Sequence, residues 1–322
     1  MKLGLGTWRF FLSFLVVISH LWKDMIGGPA AYAVWGFYVL SGYLMTLVLN
    51  EKYGSDINGL KRYAHNRFLR IYPLYWLATI LGLLALLILP SLGIVPSLLN
   101  PAFNFPQTLG DYWHNLTLIP IFGGNRFLVP VSGALATEIG AYILMPFIAF
   151  SRRASILGLI LSLIANINLG LTIDDFALNF ATRYSSFLSC YIAFAFGSLT
   201  YHHRNQFSKL KMPFLSIAIW SIHCLIGVKF NLYPWVYGLY TAIPLSAWVI
   251  ISLAKLKTDR TDKLLGDLSY PIYLFHSGLA VWFLAYFNNI RSFNFFIIAY
   301  LFTIIVSIFC IAIDKKINKF RS

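Results

Sequence analysis

The sequence is short of charge. Asp, Glu, Lys and Arg make up only 11% of its 322 residues, against 59% that are hydrophobic. A soluble domain carries about a quarter charged residues, so a globule of this size lacks the polar surface to hydrate itself. The apolar excess must face lipid. Acid is scarcer still, with 11 acidic residues against 25 basic ones and a net charge of +14. Cysteine is rare: Cys190, Cys224 and Cys310 each lie inside an apolar run, far apart in sequence. That spacing offers neither a disulfide framework nor a thiolate metal site, and small buried thiols are expected. A Walker motif, zinc-ligand spacing and a Gly-x-Ser-x-Gly elbow are also missing. An aromatic content of 17% excludes disorder and collagen-like repeats.

Long apolar runs are what the chain does have. A membrane-crossing helix needs about 20 mostly apolar residues. Such runs fall at 8–26, 31–50, 71–90, 130–150, 154–172, 184–201, 212–230, 234–254, 270–288 and 294–313. They predict an all-α polytopic membrane bundle of about ten transmembrane helices. The stretch 91–129, rich in Pro and Asn, reads as an outer-face loop with short helices. Basic residues collect in cytosolic segments. With the N-terminus and C-terminus both cytosolic, only Lys23, Arg126, Arg183, Lys229 and Arg291 fall outside or near outer ends, leaving 20 of the 25 inside. The net charge then needs no nucleic acid. Lys2 and Arg9 before an apolar stretch imitate a signal peptide, but the small-residue pattern Ala31-Tyr32-Ala33 lies too far beyond it. The segment reads as a retained first span. Residues 1–322 are expected to form one integral membrane domain with no appended soluble domain.

Ionisable groups inside such spans are expensive and mark candidate sites. Arg9 and His20 lie eleven residues apart, about 20° past three full helical turns and about 16.5 Å along the axis. They share one face, Arg9 at the cytosolic entrance and His20 slightly outward of the midplane. The plainer alternatives are a topology charge for Arg9 and a helix–helix hydrogen bond for His20. Glu138, eight residues into the fourth span, comes close to His20 in depth. A lone carboxylate there must be protonated, bonded or paired, and His20 is its expected partner, unless Glu138 only anchors the bundle. His276, read as inward of the midplane, suits packing with a satisfied hydrogen bond better than catalysis. Ser41 and Gly42 suit close helix packing better than nucleophilic chemistry. Arg67 and Arg70, three apart, share a helical face, with Pro73 near the start of the third span. Two converging guanidiniums suit phosphate; contact with anionic membrane lipid is the plainer reading.

At these residues the chain resembles the acyltransferase 3 family of integral membrane acyltransferases. Four motifs carry the resemblance in order: Arg9 with His20; Gly36-Phe37-Tyr38-Val39-Leu40-Ser41-Gly42-Tyr43-Leu44; Arg67-x-x-Arg70 followed by Ile71-Tyr72-Pro73-Leu74-Tyr75-Trp76; and Leu265-Gly266-Asp267-Leu268-Ser269-Tyr270-Pro271-Ile272-Tyr273-Leu274-Phe275-His276. They span nearly the whole chain. One departure stands in the middle: where the family has Trp-Ser-Leu-x-x-Glu, this chain reads Gly133-Ala134-Leu135-Ala136-Thr137-Glu138. The acid is kept; Trp and Ser are not.

The resemblance implies an acyl-CoA-dependent O-acyltransferase, usually an O-acetyltransferase, in a bacterial inner membrane. It would move the acyl group from cytosolic acetyl-CoA to a hydroxyl of a cell-surface glycan or lipid-linked saccharide, without a metal. Arg9, Arg67 and Arg70 are then expected to hold the CoA phosphates. His20 would be general base or transient acyl carrier, which the sequence leaves open, and Glu138 is the second catalytic candidate. A proton-coupled exporter is the alternative from another class, although Arg67 and Arg70 have no evident purpose there.

Overall fold

The computed structural model describes residues 3–25, 28–170, 180–229 and 237–321. Every regular element among them is a helix. In chain order these are α1 (Leu5–Leu21), α2 (Pro29–Val48), α3 (Ile57–Ile88), α4 (Leu109–Thr117), α5 (Ser132–Ile148), α6 (Arg152–Asn168), α7 (Phe180–Ser185), α8 (Phe187–His203), α9 (Pro213–Lys229), α10 (Tyr237–Leu253), α11 (Arg260–Ala280) and α12 (Phe293–Ile317). Each of the ten apolar runs lies on one of them, and α4 and α7 are additional short helices. Lys2 and the run ends at 26, 171–172, 230 and 234–236 lie outside the described residues. Four helical stretches, Pro29–Tyr53, Ile57–Leu92, Arg260–Phe287 and Phe293–Phe320, are long and apolar enough to cross a membrane. The other six helices that carry apolar runs have 17 residues each, a rise of about 25 Å.

Two outer helices turn small and polar side chains inward and apolar ones outward. On α6 the buried stripe is Ser155, Gly158, Ser162 and Asn166, while Leu157, Ile160, Leu161, Ile164 and Ile167 are exposed. The buried serines and Asn166 satisfy one another and neighbouring carbonyls: Ser162 donates to Leu188 O at 2.7 Å, and Asn166 Nδ2 donates to Ser189 O at 3.0 Å. On α12 Thr303, Ser307 and Asp314 face inward, and Leu301, Ile305, Ile308 and Phe309 face outward. On these two helices an exposed apolar face over a small or polar buried stripe suits lipid as the outer solvent.

Two helix pairs set the frame. In the first, α2 crosses α8 so closely that a Cβ on Gly42 would stand 2.1 Å from Phe194 O, and one on Gly197 would stand 2.1 Å from Val39 O. Thr46 then donates to Ser198 Oγ at 2.8 Å across the same seam. In the second, α1 and α11 run parallel, since their first turns meet at one end and His20 meets His276 at the other. Asp262 accepts from Thr7 N and Thr7 Oγ1, both at 2.7 Å, and one helix length further on His20 meets His276. Gly6 permits the approach, since a Cβ there would stand 1.9 Å from Asp262 O.

Between α3 and α5 the chain forms short 3-10 turns and α4, in keeping with the expected loop. Asp111 organises it. Its carboxylate accepts from the backbone N–H groups of Gln107, Thr108, Asn125 and Arg126. Burial opposes its ionisation, but these four donors outweigh that and hold the carboxyl below the ordinary range.

The α2–α8 crossing yields a direct test. Gly42→Val must force the two backbones apart, at a cost of about 2 kcal/mol. Thermal unfolding of the purified protein in detergent should show a lower midpoint for Gly42→Val, and an unchanged midpoint would mean that the seam is not this tight.

Candidate active site

A cavity of about 380 Å³ opens between α1, α2, α3, α5 and α11. Arg9, Arg67, Arg70 and Glu138 all line it, so four of the five expected site residues meet in one place. Val34 and Val48 on α2 both line it; they are fourteen residues apart, a rise of about 21 Å. The remaining wall includes Phe37, Tyr38, Ser41, Tyr142, Tyr270 and Tyr273, and one unexpected cation, Arg321.

The cations are not equivalent. Arg70 Nη1 lies 3.0 Å from Asp314 Oδ2, and Arg321 Nη2 lies 2.5 Å from Asp314 Oδ1, so one carboxylate serves two guanidiniums. Arg9 and Arg67 make no ion pair among the described residues, and Arg67 Nε is buried with no hydrogen-bond partner. Against four arginines the lining offers two acids, Glu138 and Asp267, and Asp314 pairs with two of the arginines, so an excess of positive charge remains.

The α3 helix begins at Ile57, capped by Asp56, so Pro73 sits well inside it and not at a helix start. A proline removes the donor for the carbonyl four residues earlier, which is Leu69 O. Arg321 Nη2 fills that vacancy at 2.8 Å. The same device recurs on α5. Pro146 lies inside that helix and frees Tyr142 O, to which Tyr63 OH donates at 3.1 Å. Both interior prolines thus tie a second element to the turn that carries a cavity residue.

Glu138 is bonded to other partners than the expected one. Ser41 Oγ donates to its Oε1 at 2.6 Å, and Tyr142 OH donates to the same oxygen. Ser41 is consequently a partner of the acid on the cavity wall, while the close packing expected of this pair belongs to Gly42. The proposed approach of Glu138 to His20 does not occur, because depth along two spans says nothing about whether they are neighbours.

His20 lines a separate pocket of about 280 Å³ with Leu98, Leu99, Asn100, Pro101, Ser277 and Arg291. Its Nδ1 stands 3.0 Å from His276 Nε2, and Arg291 Nη1 donates to His20 O at 2.9 Å. His276, expected inward of His20, is level with it. The reason is that α11 starts at Arg260, ten residues before the apolar run, and is docked at that end by Asp262. Tyr273 stands between the two spaces: it lines the large cavity, and its ring centroid lies 6.3 Å from that of His276.

A family model described as an acyltransferase domain matches residues 3–313, essentially the whole chain. The chain belongs to the acyltransferase 3 family. No curated protein and no solved structure matches it. With its apolar helices, it is an integral membrane protein, and membership makes it a membrane acyltransferase rather than an exporter. In this acyltransferase, sequence reasoning missed Arg321, Asp314, Tyr142 and the histidine pair. A proline four residues after Leu69 was the one available signal, since it announced a carbonyl in need of a donor. Nothing in the sequence named that donor.

Arg321→Ala should strip Leu69 O of its partner, and a buried unsatisfied acceptor costs about 1–3 kcal/mol. Adding Pro73→Ala returns a backbone N–H to the helix. The stabilisation from Pro73→Ala should therefore be larger in the Arg321→Ala background than in the wild type, measured as a double-mutant cycle of unfolding midpoints. Equal effects in both backgrounds would refute the link.

Proposed function

We propose that this protein transfers an acyl group, most simply acetyl, from acyl-CoA to a hydroxyl of a glycan or lipid-linked saccharide. The observation that carries the reading is the division of labour along α1. Arg9 faces a cavity with three further arginines, and His20, eleven residues on, faces a second pocket. The cavity, about 380 Å³, is in the range of small-molecule sites and would take the extended acyl-pantetheine arm. The nucleotide would stay at the arginine end, its phosphates taking charge-assisted hydrogen bonds from Arg67, Arg70 and Arg321. Arg9 supplies positive potential deeper in. Ser41, Tyr142 and Glu138 form the polar patch of an otherwise apolar wall, where the amides of the arm would find partners.

The thioester then lies toward Phe37 and Tyr273, within reach of the histidine pair. The acceptor would enter the His20 pocket. His20 Nε2 takes the hydroxyl proton as the oxygen attacks the thioester carbonyl; the C–S bond breaks, and the CoA thiolate leaves and regains a proton from the imidazolium. Glu138, held by Ser41 and Tyr142, belongs in this reading to donor binding and not to proton transfer. The donor side is proposed to face the cytosol of a bacterial inner membrane, in line with the basic residues of the sequence.

Arg67→Ala should weaken acetyl-CoA binding by about tenfold or more, from the loss of a charge-assisted contact worth roughly 1.5–3 kcal/mol. Lysine should rescue only partly, since it lacks the bidentate fork. Titration of acetyl-CoA into purified protein decides it: unchanged affinity in Arg67→Ala and Arg70→Ala would sink the donor site. His20→Ala should abolish transfer yet keep acetyl-CoA affinity, and His20→Gln should be nearly as inactive, because an amide takes no proton at neutral pH. The readout is CoA release per folded molecule in the presence of envelope glycan. Substantial turnover by His20→Gln would remove His20 from the mechanism.

A further inference from the structure

Resting on the reading of His20 as the base, we infer that His276 is a positioning residue that fixes the tautomer of His20. The chain of donors leaves one solution. His276 Nδ1 lies 2.7 Å from Tyr273 O, and a carbonyl oxygen only accepts, so Nδ1 carries the proton. Neutral His276 then has its lone pair on Nε2. That atom is 3.0 Å from His20 Nδ1, which must therefore be the donor. His20 is left with its lone pair on Nε2, the tautomer that a base needs. A backbone carbonyl thus dictates, through two rings, which nitrogen of His20 is basic.

Ring geometry agrees. The two imidazole planes differ by 13° and the centroids are 5.2 Å apart. With nitrogens at 3.0 Å, that centroid distance is the N···N separation plus the two ring radii. The rings meet edge to edge in nearly one plane, so the lone pair of one points along the N–H of the other. Tyr273 is itself held, its hydroxyl donating to Val131 O at 2.9 Å, and His276 is fully buried. At the other side, Arg291 ties the His20 backbone through its carbonyl.

A neutral ring here does what a carboxylate does in other base-and-orienter pairs. Among the described residues no Asp or Glu lines the His20 pocket, and Glu138 is engaged by Ser41 and Tyr142 in the other cavity. When His20 Nε2 takes the acceptor proton, its Nδ1–H becomes the donor of a charge-assisted bond to His276 Nε2, which strengthens as charge develops. His276 moves no proton and touches no substrate; its effect falls on the rate of the step and not on donor binding.

Two measurements test this. In protein labelled with ¹⁵N-histidine and held in lipid bilayers, solid-state NMR should show protonated Nδ1 on both His20 and His276, assigned by comparison with single variants. An Nε2–H signal from His20 overturns the inference whatever the activity. For turnover, His276→Leu removes the acceptor, whereas His276→Gln can present Oε1 near the position of Nε2. His276→Leu should lower kcat by about 100-fold with KM for acetyl-CoA nearly unchanged, and His276→Gln should recover about tenfold of that loss. Equal losses in the two variants, or a loss that appears in KM, would make His276 merely structural and overturn the proposal. Protonated Nδ1 on His20 together with full turnover by His20→Ala would instead retain the tautomer assignment and remove the base role, so the two failures are distinct.

Discussion

The seating of α1 on α11 is the constraint on which the rest of the structure depends. The two helices run parallel and are pinned near both ends, by Asp262 on the first turn of α1 and by the His20–His276 bond. Two fixed points a helix length apart leave little freedom to slide or rotate. Arg9 and His20 both belong to α1, so the depth of the cation and of the imidazole are set together. Each lines a different space, and the turn of α11 between Tyr273 and Ser277 carries residues of both. Function on either side of the bundle is thereby tied to one helix pair.

Lipid supplies no hydrophobic force to press helices together, so close packing and internal hydrogen bonds must do it. Glycine at the α2–α8 seam and at the foot of α1 lets backbones approach, and buried Ser, Thr and Asn side chains close the bonds. The interior prolines of α3 and α5 follow the same logic from the opposite direction. Each opens a backbone acceptor inside the protein, and each acceptor is filled by a side chain from another element, Arg321 for Leu69 and Tyr63 for Tyr142. In water the freed carbonyl would simply be hydrated. In a membrane it becomes an attachment point, and here both attachment points border the cavity.

The helical class and the positions of the apolar runs were legible because lipid imposes length and composition on every span. Arg67 and Arg70 were legible because three-residue spacing on a helix means a common face. Partnership between helices was not. Glu138 and His20 were expected at one depth, yet each bonds elsewhere, since the order of helices around a bundle leaves no periodic trace in one sequence. His276 was underrated for a related reason: its depth was judged from the apolar run, while the helix itself starts ten residues earlier in a polar segment. Asp314 and Arg321 follow the last apolar run with no pattern that points to a partner, and only the fold brings them to Leu69 and Arg70.

Four arginines around one cavity repel one another, and the acids within bonding distance do not balance them. Asp314 spans Arg70 and Arg321, while Glu138 is occupied by two hydroxyls. That leaves Arg9 and Arg67 without an ion pair among the described residues, the latter with a buried unpartnered Nε. Holding such charge in a partly buried space is unfavourable unless an anion completes it, so the unpaired arginines make this cavity a place where a bound anion would relieve repulsion already built into the fold. Asp314 and Arg321 lie beyond the residues matched by the family model, which end at 313. Yet they hold the second arginine of the shared motif and the carbonyl beside it. The position of Arg70 is thus fixed by residues about 250 places later in the chain, and a change at Asp314 or Arg321 would reach the cavity through that brace.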